Sequence, residues 1–226
     1  MKLLFLGTGA ADWPTHIIES REFSRRFSSL LIDDTLLIDP GPMVIDAIKE
    51  FCVDTSKIKY IINTHKHSDH YDLATVEYLT SLGAEFIDIK AGEDVSLGKY
   101  TIKAFKANHT IETVHFLITD GNKKLFYALD GGWLTYEEII GIWENKVIDY
   151  MVLDATVGFV DGDYRIFEHN NLNMVIEIKK SLCERDVKRF SISHMAYTLH
   201  GTHDELCRMM SEHGIEVAYD GKIVEI

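Results

Sequence analysis

Proline is scarce in this chain of 226 residues, which has only three prolines, at positions 14, 40 and 42. No proline- or serine-rich stretch separates one part of the chain from another, and the sequence contains no internal repeat. Repeat arrays and modules joined by a stiff linker are therefore excluded. The length suits an α/β domain with a sizeable core, and the sequence predicts a single domain over residues 1–226.

Cysteine is equally scarce. The three cysteines, Cys52, Cys183 and Cys207, form no Cys-x-x-Cys pair. An odd number without paired spacing argues against a disulfide framework and predicts free thiols in a reducing compartment.

Basic side chains and long apolar runs are also lacking. Lysine and arginine number 23 against 36 aspartates and glutamates, which leaves a formal charge of −13. This balance argues against a broad nucleic-acid or anionic-membrane surface, although bound metal cations would let the protein take a phosphate substrate. The amino-terminal apolar run ends at Gly7, too short for a signal peptide, and no stretch has the length of a membrane span. We therefore expect a cytoplasmic protein without a membrane partner.

Strands and helices follow one another in two loose halves. The predicted strands cover residues 2–6, 28–33, 35–38, 60–62, 85–89, 100–107, 113–119, 124–129, 150–153, 190–193, 215–219 and 222–226. The predicted helices cover about 42–51, 72–82, 135–145, 172–182 and 202–213. Asp-Gly pairs at 120–121 and 220–221 predict hairpins. This order fits an α/β fold with two sheets covered by helices and excludes a strictly alternating parallel sheet.

The strongest chemical signal is the sequence THKHSDH at residues 64–70. It places His65, His67, Asp69 and His70 directly after a short apolar strand, and imidazole and carboxylate groups suit zinc, iron or manganese. His65 and His67 stand two residues apart at a strand end and can reach one metal, and Asp69 and His70 then turn towards a second. A polar loop that happens to be rich in histidine is the alternative, but four potential ligands within six residues favour metal binding.

Three further candidates, His109, Asp130 and His194, stand at the ends of predicted strands. Strand-end loops are where a rigid scaffold commonly presents functional groups. Taken alone, Asp130 would be a turn residue before two glycines, and His194 would be a solvated loop histidine. Together with the four residues of the first motif, all three are better explained as metal ligands.

These motifs resemble those of the metallo-β-lactamase-fold hydrolases over essentially the whole chain. More specifically, GTGAA near the amino terminus, the strand SSLLID, the Asp-Pro-Gly of residues 39–41 and the segment HMAYTLHGTHDEL resemble the branch that contains the phosphoribosyl cyclic phosphate phosphodiesterases. That branch is related to the tRNA 3′-processing endonucleases. The resemblance implies an α/β fold of the four-layer αββα metallo-β-lactamase sandwich type.

The resemblance also implies which residues hold each of two divalent metals. The ligands of the first metal would be His65, His67 and His109. Those of the second would be Asp69, His70 and His194, with Asp130 as a bridge between the metals. Zinc or manganese would suit this set best, and iron or nickel would also fit. Asp39 matches an aspartate that orients the ligands in that family.

A metal pair of this kind shares a hydroxide that is nucleophilic at neutral pH. Asp69 could orient that hydroxide or accept its proton. A leaving alkoxide needs a proton donor, for which His200 is the candidate, with a solvated loop histidine as the alternative. His169 is a further candidate for the edge of the site, and His115 is interpreted as a strand residue with a satisfied partner.

The predicted function is that of a phosphodiesterase acting on a small cyclic or nucleotide-like phosphodiester. The alternatives are a lactonase or thioesterase on the same scaffold, and a nuclease like the tRNA-processing endonucleases. Residues 12–17 lack the cysteines that bind a structural zinc in related enzymes, so we expect no structural zinc there. A homodimer is the default expectation for a soluble enzyme.

Overall fold

The computed structural model describes residues 1–15, 24–182 and 185–226. Residues 16–17, at the end of the loop for which no structural zinc is expected, and Cys183 lie outside the described residues. The chain forms two compact units, Met1–Ile89 with Ala218–Ile226 and Lys90–Val217. No helix among the described residues is both long and apolar enough to cross a membrane.

Thirteen strands and five α-helices make up the two units. The strands are β1 (Lys2–Gly7), β2 (Ser29–Ile32), β3 (Leu36–Ile38), β4 (Tyr60–Ile62), β5 (Glu85–Ile87), β6 (Asp94–Leu97), β7 (Tyr100–Lys106), β8 (Val114–Thr119), β9 (Lys124–Ala128), β10 (Tyr150–Asp154), β11 (Phe190–Ser193), β12 (Ile215–Val217) and β13 (Ile223–Glu225). The helices are α1 (Val44–Glu50), α2 (Leu73–Ser81), α3 (Tyr136–Asn145), α4 (Leu172–Ser181) and α5 (His203–Ser211). These counts refer to the described part of the chain.

The first unit is a six-stranded sheet in the order β13-β1-β2-β3-β4-β5, with α1 and α2 packed on it. The strands β3, β4 and β5 are parallel, whereas the other neighbours are antiparallel. Ile38 of β3 lies opposite Ile62 of β4. The next residues, Asp39 and Asn63, therefore emerge at the same edge of the sheet, because parallel strands end on the same side.

The second unit is a seven-stranded sheet in the order β12-β11-β10-β9-β8-β7-β6. Strands β9 to β12 are parallel, and every residue of β10 is buried, as in the continuous apolar strands of parallel sheets. Ala128 pairs with Leu153, and Asp154 pairs with Ser193. The segments that follow β9, β10 and β11 thus leave the sheet at one edge. The helices α3, α4 and α5 each place apolar residues in the core of this unit.

Helix starts follow the capping chemistry that the sequence offers. Thr135 and Thr202 each accept a hydrogen bond from the backbone of a glutamate three residues later, which completes a capping box at α3 and α5. Asp72 caps α2, and Asn171 caps α4. The side-chain oxygens satisfy backbone N–H groups that have no partner inside the helix.

Two predictions from the sequence are wrong. Strand β6 was not predicted, because its residues Asp-Val-Ser-Leu give only a short alternation, and it pairs with β7 across a tight turn. The predicted hairpin at residues 220–221 does not form: β12 pairs with β11, whereas β13 pairs with β1. The Asp-Gly turn there joins two different sheets. The hairpin predicted at residues 120–121 is confirmed, with β8 and β9 antiparallel and Gly121 at φ +92°.

Candidate metal centre

In the first unit, Asp39 organises the segment that follows β4. One carboxylate oxygen of Asp39 accepts hydrogen bonds from the Thr64 backbone N–H at 2.7 Å, the Thr64 hydroxyl at 2.9 Å and the Asn63 side-chain amide at 3.1 Å. All three residues are buried. Gly41 lets this turn lie against the motif, since a Cβ at that position would stand 2.2 Å from the carbonyl oxygen of Asp69. The fixed start of the segment sets the direction of the histidines that follow.

The amino-terminal cluster, which we define as His65, His67, Asp69 and His70, is held by these contacts. His70 Nδ1 donates to the second carboxylate oxygen of Asp39 at 2.9 Å, and His65 Nδ1 lies 3.0 Å from the Thr64 hydroxyl. The opposite ring edges converge. His65 Nε2 lies 2.9 Å from His67 Nδ1, and His70 Nε2 lies 3.3 Å from Asp69 Oδ2. Fixing one ring nitrogen so that the other faces a shared point is how proteins orient histidine ligands.

In the second unit, the parallel strands bring residues together that are far apart in sequence. The carboxyl-terminal cluster consists of His109, Asp130, Asp154, His169 and His194. Ligand atoms of the last four all lie within 4.8 Å of one another. His194 Nε2 lies 3.3 Å from Asp130 Oδ2, and His109 Nε2 lies 3.9 Å from Asp130 Oδ1.

The two predicted ligand histidines of this cluster are oriented in the same way as those of the first unit. His109 Nδ1 donates to the carbonyl of Glu168 at 3.1 Å, and His194 Nδ1 lies 2.7 Å from the hydroxyl of Thr156. In both rings the Nε2 edge then faces Asp130. His65, His70, His109 and His194 therefore all use Nδ1 for a protein oxygen and direct Nε2 towards another ligand candidate.

Asp154 holds the carboxyl-terminal cluster together through hydrogen bonds. Its carboxylate accepts the backbone N–H groups of Asp130 at 3.0 Å, Thr156 at 2.8 Å and Asn170 at 3.2 Å, and the His169 ring at 2.8 Å. Burial would raise the pKa of Asp154, but the charge and hydrogen bond of His169 outweigh burial and lower it. Asp154 therefore stays ionised and fixes the backbone that presents Asp130.

His169 has more contacts in this cluster than its sequence position suggested. Burial would lower the pKa of His169, but the charge of Asp154 and the hydrogen bond to it raise the pKa to about 9. Its ring stacks on His194 at 5.5 Å between centroids and meets the His109 ring edge-on at 5.0 Å. Sequence reasoning placed His169 only at the edge of a site. The signal that could have found it is its position directly before the Asn-Asn start of α4.

His200, the proton donor favoured from sequence, makes a different set of contacts. Its Nε2 donates to the carbonyl oxygens of Ala155 at 2.8 Å and Thr156 at 3.2 Å. These contacts tie the loop before α5 to the segment after β10. That segment also carries Thr156, the partner of His194, and it directly follows Asp154, which accepts the Asp130 N–H.

Three of the residues that build the two clusters have left-handed backbones: Asp39 at φ +60°, Asp130 at +58° and His194 at +60°. Such conformations are uncommon for residues other than glycine, although Asp, Asn and His tolerate them best. They store backbone strain of roughly 1–3 kcal/mol each and are frequent at functional sites. Asp39 and His194 directly follow a strand, and Asp130 stands two residues after the end of β9, so in each case the left-handed turn redirects the side chain at a strand end.

The amino-terminal cluster belongs to a stretch that matches a known family. Residues 28–71 match the model of the metallo-beta-lactamase superfamily. Among curated proteins, a UPF0173 protein of Pyrococcus abyssi is 30% identical over 92 residues. That match covers 33% of this chain and spans 41% of the relative's length.

Solved structures extend the likeness to the whole chain. The metallo-beta-lactamase fold protein YhfI from Bacillus subtilis matches with a TM-score of 0.77 at 17% identity, covering 100% of this chain and 99% of that one. This chain has the metallo-β-lactamase fold. The fold class predicted from the sequence, a four-layer αββα metallo-β-lactamase sandwich, is confirmed.

Other proteins with the metallo-β-lactamase fold carry different names. A diphosphatase of the PhnP family matches with a TM-score of 0.73 at 18% identity, covering 100% of this chain and 97% of that one. Zn²⁺-bound PqqB from Methylobacterium extorquens matches with a TM-score of 0.75 at 16% identity over 100% of both chains. These likenesses show the fold that the chain shares with them. They do not select a substrate, because one fold hosts many activities.

Proposed function

We propose that this metallo-β-lactamase-fold protein is a phosphodiesterase with two divalent metals that acts on a small cyclic or nucleotide-like phosphodiester. Zinc or manganese suits the ligand chemistry best, and iron or nickel also fits. The proposed ligands are the predicted set: His65, His67, Asp69, His70, His109, Asp130 and His194.

One observation carries the proposal of metal binding. In four histidines of the two clusters, a protein oxygen fixes Nδ1, and Nε2 faces another imidazole or a carboxylate. A purely structural histidine has no need to bring its second nitrogen next to other ligand-type atoms, whereas a metal site requires this arrangement. The mixture of imidazole and carboxylate groups is also the set that first-row divalent metals favour.

In the proposed mechanism, the side chains around the metals each carry out a different step of ester hydrolysis. Bound metals would supply a hydroxide at neutral pH and offset the negative charge that develops on the substrate. Asp69, we propose, orients the attacking water or accepts its proton. His169 donates Nδ1–H to Asp154, which leaves the Nε2 edge as the one that could deliver a proton to a leaving oxygen. His200 remains the second candidate for that proton.

Two facts favour a phosphodiester over an acyl ester. The motifs of the sequence resemble the phosphoribosyl cyclic phosphate phosphodiesterase branch, and a PhnP-family diphosphatase shares the fold over the whole chain. A lactone or thioester hydrolase would use the same metals, so the choice between substrates must be tested directly.

The test starts with metal content and activity of the purified protein. We expect about two metals per chain, loss of bis(p-nitrophenyl) phosphate hydrolysis on chelation, and recovery with Mn²⁺ or Zn²⁺. A ribose 1,2-cyclic phosphate, a lactone and a thioester are then compared at equal concentration. Turnover of lactone or thioester without diester hydrolysis would overturn the phosphodiesterase proposal, and absence of bound metal would overturn the metal site.

The identity of the proton donor is tested with a pair of variants. H169A and H200A are compared on a p-nitrophenyl diester, whose leaving group needs no proton, and on an alkyl diester, whose leaving group does. Loss confined to the alkyl diester identifies the donor. D149A, which removes a buried carboxylate at the opposite end of β10, is the control and should leave both rates unchanged.

A further inference from the structure

The second unit contains a buried ion pair that lies outside the proposed ligand set. His115 on β8 is 1% exposed, and Glu138 on α3 is fully buried. The His115 ring is engaged at both nitrogens: Nδ1 donates to Glu138 Oε1 at 2.5 Å, and Nε2 donates to the carbonyl oxygen of Leu129 at 3.1 Å. The predicted satisfied partner of His115 is therefore confirmed, and it is a carboxylate.

Glu138 connects this pair to the start of α3. Its second carboxylate oxygen accepts the backbone N–H of Thr135 at 2.5 Å, and its own N–H donates to the Thr135 hydroxyl at 3.3 Å. One side chain thus closes the capping box and holds the His115 ring. The ring in turn reaches the backbone at Leu129, directly before Asp130.

Gly131, which follows Asp130, also packs against the His115 ring. A Cβ at position 131 would stand 2.5 Å from His115 Cε1 and 2.7 Å from His115 Nε2, so only glycine fits there. Leu129 and Gly131 therefore both contact His115, and they flank Asp130, whose backbone is left-handed. Asp154 binds the N–H of Asp130 from another direction.

We propose that His115 is a positioning residue for Asp130. Its imidazole fixes the turn at residues 129–131, and Glu138 fixes the imidazole through a hydrogen bond. The proposal rests on the metal-ligand role of Asp130 in the proposed function. His115 binds Glu138 and the Leu129 carbonyl, and acts through the backbone on either side of Asp130.

Energetics favours positioning over a purely structural role. A buried ion pair is weak evidence for stability, because well-packed apolar residues of similar volume are often as stable or more so. Leu117, on the same face of β8 as His115, and Phe105, the residue opposite His115 on β7, belong to the apolar core of this unit, so an apolar side chain would suit the core here. Burial alone would lower the pKa of His115, but the charge and hydrogen bond of Glu138 raise it, which matches a ring that donates from both nitrogens.

The experiment separates positioning from stability with two variants. H115F keeps a ring of similar size but leaves Glu138 buried without its partner. H115F/E138M replaces the whole pair with apolar groups and should restore thermal stability towards that of the wild type. Y150F, which removes a buried hydroxyl from the other end of the same sheet, is the matched control.

Two readouts are used besides turnover. The affinity for Mn²⁺ or Zn²⁺ is measured by titration, and amide hydrogen exchange over residues 129–133 is measured on metal-free protein. We expect H115F/E138M to lose about 10–100-fold in affinity for the more weakly bound metal, as is typical for residues that support ligands. We also expect faster exchange over 129–133, whereas Y150F should change neither quantity.

Three outcomes would overturn the proposal. In the first, a folded H115F/E138M has the metal affinity and the amide hydrogen exchange of the wild type. In the second, Y150F increases hydrogen exchange over residues 129–133 as much as the double variant does. In the third, H115F binds metal as tightly as the wild type. If the double variant does not fold, H115Q decides the matter, because its amide can still donate to the Leu129 carbonyl and should retain metal affinity better than H115F. If wild-type protein binds no metal, the proposed function fails, and hydrogen exchange still tests whether His115 holds the turn.

Discussion

The two clusters place similar side chains by opposite routes. The amino-terminal cluster comes from six consecutive positions after one strand, and Asp39, directly after the neighbouring strand, fixes its start. The carboxyl-terminal cluster collects residues from five separate segments between positions 109 and 194. Its geometry exists because β9, β10 and β11 are parallel and end at one edge. The first cluster is therefore a local motif, and the second is a product of sheet topology.

This difference predicts unequal sensitivity to substitution. A local motif depends on a few hydrogen bonds within one turn, whereas a topological cluster depends on the packing of several strands. The substitution with the largest expected effect is D130N, which removes the negative charge of Asp130 in the carboxyl-terminal cluster.

D130N keeps a side chain that tolerates the left-handed backbone and removes one carboxylate charge from between His109 and His194. We expect affinity for one metal to fall by more than the about 10–100-fold typical of supporting residues, and hydrolysis to fall with it. Metal titration and kcat on bis(p-nitrophenyl) phosphate measure both effects. Two tightly bound metals in this variant would remove Asp130 from the ligand set.

D39N tests the corresponding support in the first unit. The single amide oxygen of the asparagine can accept a hydrogen bond from Thr64 or from His70, whereas the two carboxylate oxygens of Asp39 accept from both. We expect a loss of about 10–100-fold in metal affinity, less than for D130N, because Asp39 supports ligands without being one. A larger loss of metal affinity in D39N than in D130N would show that the local motif, and not the topological cluster, dominates metal binding.

D220N tests a carboxylate of the first unit that belongs to neither cluster. Asp220 accepts hydrogen bonds from the Thr8 hydroxyl at 2.7 Å and the Arg26 N–H at 2.6 Å, yet burial raises its pKa to about 6. The folded protein then binds a proton that the unfolded chain has released, so stability should fall as pH rises from about 4 to about 6. Each pKa unit corresponds to about 1.4 kcal/mol.

Urea unfolding of wild type and D220N at pH 4 to 7 measures this effect. The difference in unfolding free energy between the two proteins should shift in favour of D220N as pH rises across that window. A pH-independent difference would show that Asp220 titrates alike in the folded and unfolded chain. Metal binding at pH 7 should be unchanged, which separates this carboxylate from those of the clusters.

T202A has the smallest expected effect. It removes the side chain that caps α5, which should lower the unfolding free energy by about 1 kcal/mol. Metal affinity and turnover should not change, because no cluster residue depends on that cap. A large loss of metal affinity would mean that the position of α5 controls the carboxyl-terminal cluster.

The contrast between the clusters also explains what the sequence could predict. His65, His67, Asp69 and His70 stand together in the sequence, and their spacing alone indicates a metal site. His109, Asp130 and His194 were identified as candidates because each follows a strand. Their convergence could not be read from spacing, because it depends on which strands are neighbours.

The residues that support the clusters were harder to predict. His169 stands alone before a helix, and its bond to Asp154 joins segments 15 residues apart across the end of β10. His115 resembled an ordinary strand residue, because nothing in the sequence marks Glu138 as its partner. The incorrect hairpin at residues 220–221 has the same origin, since a turn signal fixes a local bend but not the sheet that the next strand joins.

The left-handed backbone at Asp130 has a practical consequence for capturing the protein with its unreacted substrate bound. Asparagine and glycine adopt that conformation readily, whereas alanine adds strain, so an asparagine variant should keep the native turn while losing the charge. D130N would then serve as a substrate trap: a folded, slow enzyme that holds an intact diester long enough to be seen in a crystal. The ligand seen in such a crystal would reveal the natural substrate class directly.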